Sequence, residues 1–256
     1  MSFNSTAPVA VMDSGVGGIG VLREVRKLLP YENLYYFGDS ANAPYGERDV
    51  RELCELICVH AERLLSFSKA LVLACNTATA VAAARLRRRY PKTPIVGIEP
   101  ALRPAVAICP HPTVVILATE TTLREEKFAR LCRRYGKNAR LFPLAAPKLV
   151  RLVEAGRGNT PEADQCLAEL LAPLGGLTPD AVVLGCTHFP FAAPAIRRVL
   201  GEKIPLFDGA AGVARQLVRL LDEARLKSPL KEIGDVRFES SDPNSLSRYI
   251  RFFQAT

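Results

Sequence analysis

Ala181-Val-Val-Leu-Gly-Cys-Thr-His188 is a short apolar run that ends in a small residue and a thiol, the pattern of a buried strand delivering Cys186 to its carboxyl edge. The pattern occurs once more. In Leu71-Val-Leu-Ala-Cys-Asn-Thr77, three apolar residues and one small residue precede Cys75 and a polar pair. The two thiols stand 111 residues apart, about the length of one small domain. A chain built from two similar halves would hold these strand ends facing each other across a cleft, in the crevice where open α/β sheets take their ligands. Two thiols would then flank one substrate.

Outward from these strands, apolar runs and amphipathic stretches alternate. Strands are expected at Val9 to Met12, Leu34 to Phe37, Ile95 to Ile98, Val114 to Leu117, Leu141 to Leu144 and Ile204 to Phe207. Helices are expected at Val21 to Leu29, Val50 to Phe67, Thr77 to Tyr90, from the Ala118–Thr122 turn to Tyr135, Lys148 to Ala155, Pro161 to Leu174, Ala193 to Leu200 and Ala210 to Arg225. The tail from Val236 to Phe253 reads as a strand and then a helix. The class is therefore α/β with mainly parallel sheets, and Glu99-Pro-Ala-Leu-Arg-Pro104 reads as the crossover between two domains.

With 256 residues, 48% of them hydrophobic, the chain can fill two modest cores. Met1-Ser-Phe-Asn-Ser-Thr-Ala-Pro8 lacks the basic and apolar regions of a leader, and no later stretch is apolar for long enough to span a bilayer, so a cytoplasmic location without a membrane partner is expected. Seven scattered cysteines without Cys-x-x-Cys pairs fit reduced thiols better than a structural metal. Cys54 and Cys58, one helical turn apart, read as core packing, as does His60. The net charge of +8 is densest at Arg85-Leu-Arg-Arg-Arg89, which reads as a solvated helix end; no nucleic-acid motif accompanies it.

Gly15-x-Gly17-x-x-Gly20 matches the dinucleotide fingerprint, and Asp39 follows the second strand about where a ribose-binding acid belongs. A nucleotide turn passes straight from apolar strand to glycine, whereas here Asp13 and Ser14 stand at the strand end and put a carboxylate where a pyrophosphate would lie. Three chemistries remain for the thiols. Metal binding is disfavoured because only His188 lies close in sequence to either cysteine. A single nucleophile with a histidine base leaves the second thiol unexplained. Proton transfer at both faces of one carbon uses both, and a thiol at a strand-to-helix junction meets the positive end of the helix dipole.

Asp13-Ser-Gly-Val-Gly-Gly18, Gly38-Asp39, Pro44-Tyr-Gly46, Ala74-Cys-Asn-Thr-Ala78, Gly97-Ile-Glu-Pro100, Val153-Glu-Ala-Gly156 and Gly185-Cys-Thr-His188 resemble, in order, the signatures of the glutamate racemases of the cofactor-independent aspartate/glutamate racemase superfamily. The resemblance covers nearly the whole chain. It implies that Cys75 handles the α-proton of D-glutamate and Cys186 that of L-glutamate, with Asp13 assisting the first and Glu154 with His188 the second, and that Asp39 lies in a further catalytic motif. It implies that Ser14, Asn76, Thr77, Thr187 and His188 hold the amino and α-carboxylate groups together with Asp13, that Pro44, Tyr45 and Gly46 hold substrate carboxylate, and that Thr119 and Thr122 are ligands on the second side. No cofactor and no metal are implied. The partners are L- and D-glutamate, destined for peptidoglycan, nucleic acid is not expected, and a homodimer is compatible. The fold implied is two similar α/β domains related by a pseudo-twofold, residues 1–98 with 209–256 and residues 99–208. Three positions depart from the pattern: Gly20 stands for a usual Thr or Ser, Thr121 for a Gly, and Ala146 for a frequent Cys.

Overall fold

The computed structural model describes residues 4–254; the first three residues of the Met1–Pro8 stretch lie outside that range. The chain divides into two compact units, one of residues 1–98 with 210–256 and one of residues 99–209. Every strand pairing among the described residues is parallel.

The first unit runs β1 (Val9–Asp13), α1 (Ile19–Leu28), β2 (Leu34–Gly38), α2 (Val50–Leu65), β3 (Ala70–Leu73), α3 (Asn76–Arg89) and β4 (Ile95–Gly97). The second runs α4 (Leu102–Val106), β5 (Thr113–Ala118), α5 (Glu120–Arg124), α6 (Glu126–Tyr135), β6 (Arg140–Ala145), α7 (Pro147–Glu154), α8 (Pro161–Leu171), β7 (Ala181–Leu184), α9 (Ala193–Leu200) and β8 (Leu206–Phe207). The chain then returns to the first unit with α10 (Ala210–Glu223), β9 (Val236–Ser240) and α11 (Leu246–Gln254). The sheet orders are β4-β3-β1-β2-β9 and β6-β5-β7-β8. Leaving β9 aside, the two sheets share one connectivity.

Strands covered on both faces need apolar side chains at successive positions, which is why they read as unbroken runs. Val9 and Val11 of β1 pack with α1 and α10, while Ala10 and Met12 face α2 and α3. In the second sheet, Val115, Leu117, Val182 and Leu184 face α7 to α9, and Val114, Ile116, Ala181 and Val183 face α4 and α6. The return segment is tied in by parallel pairing of β9 with β2 and by the Tyr249 ring lying edge-on to Tyr36, centroids 5.4 Å apart. Gly38 is required beneath that ring, since a Cβ there would lie 2.3 Å from the Tyr249 Oη.

Element ends differ from the expectations in physically readable ways. The helix expected to run to Tyr135 breaks at Glu125, whose extended backbone (φ −70°, ψ 139°) ends α5 and opens α6. Helix α1 starts two residues before Val21, and α2 stops at Leu65. The last turn before Gly175 tightens into a 3-10 turn at Ala172–Leu174. The strand expected from Ile204 shrinks to Leu206–Phe207. Neither thiol is inside a strand: β3 stops at Leu73 and β7 at Leu184, so Cys75 and Cys186 each follow by two residues.

The basic run on α3 is largely engaged. Arg85 pairs with Glu55 at 2.5 Å, Arg89 pairs with Glu62, and Arg87 donates to the Ile95 carbonyl at 3.1 Å. Cys58 is buried, and that burial pushes its thiol up to about 11, whereas Cys54 donates to the Val81 carbonyl at 3.5 Å. Both pack within the helix layer, and neither forms a disulfide. No helix among the described residues is long and apolar enough to cross a membrane.

Beneath β1 lies a buried ion pair. Lys69 Nζ is 2.5 Å from Glu32 Oε2 and also donates to the Ser5 carbonyl, and Glu32 Oε1 accepts from the Ser228 N–H at 2.7 Å. Burial draws the Lys69 ammonium below its usual pKa against the pull of Glu32. Replacing Lys69 by Met leaves the carboxylate buried without its countercharge and should cost about 3–5 kcal/mol in urea unfolding. Adding Glu32→Gln, which keeps the acceptor for Ser228, should recover most of that loss; a double variant as unstable as the single one would show that the pair is not the cause.

Candidate active site

Both thiols emerge at topologically matching places, just past the third strand of their sheets. In the first unit Asp13 ends β1, and Cys75 follows the neighbouring β3. The two strand ends are stitched together by the Ala74 N–H, which donates to the Met12 carbonyl at 2.8 Å. Cys75 is the N-cap of α3, and its sulfur accepts from the Ala78 N–H at 3.5 Å. A negative charge on that sulfur therefore meets the amide end of a 14-residue helix.

Asp13 is fully buried, and one of its oxygens accepts from the Gly15 N–H at 3.1 Å. The glycine that matters in this turn is Gly18, where a Cβ would sit 2.6 Å from the Asp13 Cβ and 3.0 Å from that of Ala74. Gly20, the third residue of the apparent dinucleotide fingerprint, faces no atom within 4 Å of a built Cβ. Gly18 thus serves the approach of α1 to the acidic strand end, while Gly20 meets no such constraint.

Asn76 and Thr77 are buried in the first turn of α3, and Ser14 is buried beside Asp13. Among the described residues, neither the nitrogen nor the oxygen of the Asn76 amide has a hydrogen-bond partner, although only 4% of the residue is exposed. Pro44, Tyr45 and Gly46 lie on a turn that packs against α3, with a cis bond between Ala43 and Pro44. Tyr45 is buried, and its hydroxyl donates to Asp39 at 2.6 Å. Burial and the charges of Asp39, Cys75 and Asp13 all hold that phenol far above its usual range, which places the four groups within one electrostatic neighbourhood. Asp39 is itself buried, but the hydrogen bonds from Tyr45 and Asn42 and the nearby polar groups of His60 and Ser241 outweigh the burial and keep its carboxyl well below the usual carboxylate range.

In the second unit, Gly185 must be a glycine because a Cβ there would lie 2.9 Å from the Leu117 carbonyl oxygen of β5. That contact brings Cys186 alongside the end of β5, where Thr119 caps α5 and its hydroxyl oxygen accepts from the Thr122 N–H at 3.2 Å. The Thr119 hydroxyl donates in turn to that of Thr122 at 2.9 Å. Cys186 Sγ is 3.4 Å from His188 Nδ1, and His188 Nε2 is 2.5 Å from Glu154 Oε1 at the end of α7. Thiol, imidazole and carboxylate thus form one line, with Thr187 buried beside it. Burial alone would lower the His188 pKa, but a Cys186 thiolate and the Glu154 carboxylate hold it well above the ordinary histidine value.

The structure therefore groups Asp13, Ser14, Asp39, Tyr45, Cys75, Asn76 and Thr77 in the first unit, and Thr119, Thr122, Glu154, Cys186, Thr187 and His188 in the second. Sequence reading did not find the partners of Asp39. His60 was expected only to pack, yet its Nε2 lies 3.3 Å from Asp39 Oδ2 as well as stacking its ring near Phe37. Nothing in the sequence marks Ser241, which sits some two hundred residues further on. Chemically, each unit offers a sulfur that can hold or release a proton, one backed by backbone amides and one by an imidazole–carboxylate pair.

The chain belongs to the Asp/Glu/hydantoin racemase family, whose profile matches residues 21–217. It is 48% identical over 225 residues to the glutamate racemase of Ectopseudomonas mendocina, covering 87% of this chain and 85% of that one. It is 42% identical over 242 residues to the glutamate racemase of Clostridium perfringens strain SM101, covering 94% and 93%. Among solved structures it resembles the Francisella tularensis glutamate racemase in complex with D-glutamate, with a TM-score of 0.85 and 25% identity over 98% of this chain and 95% of that one.

The line from Cys186 to Glu154 has a measurable consequence. Because the folded-state pKa of His188 is raised above its unfolded value, the stabilisation it brings is fully present below about pH 6.5 and is lost as pH rises through the folded value. In an imidazole-resolved NMR titration the His188 midpoint should lie above the ordinary histidine value, and Glu154→Gln should lower it. A wild-type imidazole that titrates near the ordinary value, unmoved by Glu154→Gln, would contradict the assignment.

Proposed function

We propose that the chain racemises glutamate, interconverting the L and D enantiomers by passing protons through Cys75 and Cys186 on opposite faces of the α-carbon. The observation that carries this reading is the pair of thiols at matching strand ends of two sheets with one connectivity. Kinship with proteins named glutamate racemases supports the choice of substrate. In the D to L direction the Cys75 thiolate takes the α-proton, and the electron pair of the broken C–H bond is left on the α-carbon and spreads into the carboxylate. The Cys186 S–H bond then breaks, giving its proton to the other face. Cys75 ends as the thiol and Cys186 as the thiolate, and exchange with solvent resets them.

An α-proton is far less acidic than a thiol, so the barrier falls only where oriented donors meet the developing charge. In this reading Asp13 assists Cys75, and His188 backed by Glu154 assists Cys186. Ser14, Asn76, Thr77, Thr187, Thr119 and Thr122 supply polar contacts to the amino and carboxylate groups, and the Pro44–Gly46 turn engages substrate carboxylate. The product D-glutamate would enter peptidoglycan, and the enzyme would work in the cytoplasm.

The first test is interconversion by the purified chain, with aspartate as comparison; preference for aspartate would overturn the substrate assignment and spare the proton path. In deuterated water each enantiomer should gain solvent deuterium as it becomes product, while unreacted substrate keeps its hydrogen early in the reaction. Early washout from substrate, or product retaining the original hydrogen, would point to a single base. Cys75→Ser and Cys186→Ser should each lose about three orders of magnitude or more of racemisation in both directions, as members of one catalytic unit do.

Asn76 offers a second test, because a buried amide without partners costs the free protein about 1–3 kcal/mol. Asn76→Ala should therefore be at least as stable as wild type by thermal unfolding while binding glutamate about tenfold or more weakly. A destabilised variant with unchanged affinity would assign the amide to the scaffold instead.

A further inference from the structure

Asp39 is a fully buried carboxylate, and both of its oxygens are held by the turn that follows it. A carboxylate offers two oxygens and roughly four lone-pair sites. The Asn42 amide donates to Oδ1 at 2.9 Å, the Tyr45 hydroxyl donates to Oδ2 at 2.6 Å, and His60 Nε2 lies 3.3 Å from Oδ2. Each oxygen is thus engaged by a side chain of the turn that follows it. The Tyr45 hydroxyl is equally committed, because its one proton goes to Asp39.

The groups around Asp39 come from separate elements of the first unit. Tyr45 and Asn42 belong to the turn itself, and Arg48 braces that turn by donating to the Asn42 carbonyl at 2.6 Å and to its side-chain oxygen at 3.2 Å. His60 comes from α2, and Ser241 follows β9. The register of β9 on β2 sets Ser240 opposite Gly38, so Ser241 arrives next to Asp39, where its Oγ accepts from the Ala41 N–H at 3.0 Å. The Asp39 N–H in turn donates to the Asp13 carbonyl at 2.9 Å, which ties the turn to the end of β1. One hydroxyl of the returning carboxyl-terminal segment thus reaches the turn that carries Pro44, Tyr45 and Gly46.

We infer that Asp39 is a positioning residue rather than a proton carrier, and that Asp39, with His60 beside it and Ser241 holding the Ala41 N–H, fixes the Pro44–Gly46 turn for substrate carboxylate. This inference rests on the glutamate reading above and assigns the carboxyl-terminal segment a part in substrate binding. A carboxylate held through both oxygens by the turn that follows it is a good anchor. With the Tyr45 hydroxyl occupied, the turn meets substrate through its backbone, and the backbone is only as well placed as Asp39 makes it.

The test is steady-state kinetics on the full chain with both enantiomers, with α-hydrogen and α-deuterium substrates. Ser241→Ala should raise KM for L- and D-glutamate alike by about three- to tenfold, the size of one hydrogen bond, with kcat changed by less than about twofold and the isotope effect unaltered. Ser241→Thr, which keeps the hydroxyl, should restore KM. His60→Ala carries the same expectation from a different element, with His60→Gln as the control that keeps a donor. Asp39→Asn should also act mainly on KM. A KM unchanged in both Ser241→Ala and His60→Ala, or Thr and Ala variants equally impaired at position 241, overturns the inference. So does an Asp39→Asn variant whose kcat falls a hundredfold or more with an altered isotope effect, because that is the signature of a proton carrier. A wild-type chain inert toward glutamate overturns the underlying reading and this one with it, whereas an active wild type with silent variants overturns this one alone.

Discussion

Parallel strands deliver all their carboxyl ends to one edge of a sheet, and that edge opens only where successive crossovers turn in opposite directions. In the first sheet β2 lies on one side of β1 and β3 on the other, so the opening falls between β1 and β3. In the second sheet the same reversal falls between β5 and β7. Asp13 and Cys75 stand at the first opening, and Thr119 and Cys186 stand at the second. The close-packed backbones at Gly18 and Gly185 follow from this constraint, since a side chain at either would drive apart elements that have to meet there. The rest of the candidate site is built outward from these two reversals.

Shared connectivity does not bring shared electrostatics. Cys75 caps a 14-residue helix, so the backbone itself faces a charge on its sulfur. Cys186 is followed by only a short 3-10 turn before α9, and it has His188 within 3.4 Å instead. The first arrangement is permanent, because peptide dipoles do not titrate. The second depends on an imidazole whose pKa is raised by the Cys186 sulfur and the Glu154 carboxylate against its burial. Each unit thus supports charge on sulfur by the means its local chain offers.

Much of this was legible in the sequence because a parallel sheet covered on both faces writes itself as uninterrupted apolar runs, and nearly every strand was found where such a run occurs. The thiols were legible for the same reason, since each follows a run directly. Element ends were less so. Glu125 breaks a helix without any glycine or proline to announce it, and the strand expected from Ile204 keeps only two residues at the sheet edge. The surroundings of Asp39 were hidden for a different reason. His60 approaches from α2, and Ser241 reaches the adjoining turn from a segment some two hundred residues away, a contact that no periodicity encodes because it exists only once β9 has paired with β2. His60 occupies a position that α2 needs for packing against Phe37, so its second contact left no separate trace.

Asp39 and Asn76 show how satisfaction of buried polar groups separates support from reception. Both sit in the first unit near Cys75, and both are almost wholly removed from solvent. Burying a carboxylate is tolerable only if hydrogen bonds replace its hydration, and Asp39 accepts from Asn42 on one oxygen and from Tyr45 on the other. It is thereby a closed part of the scaffold, stable in the unliganded protein and indifferent to what binds. Asn76 has no partner among the described residues for either amide atom, a condition that a folded protein rarely retains without use, because apolar replacement would remove the penalty. The strain of leaving it open is a small fraction of a domain's stability, and a ligand with both donors and acceptors recovers it on binding. Glutamate, with an ammonium and carboxylates at fixed spacing, would be such a ligand under the proposed reading, which sets this unsatisfied amide directly after the Cys75 sulfur.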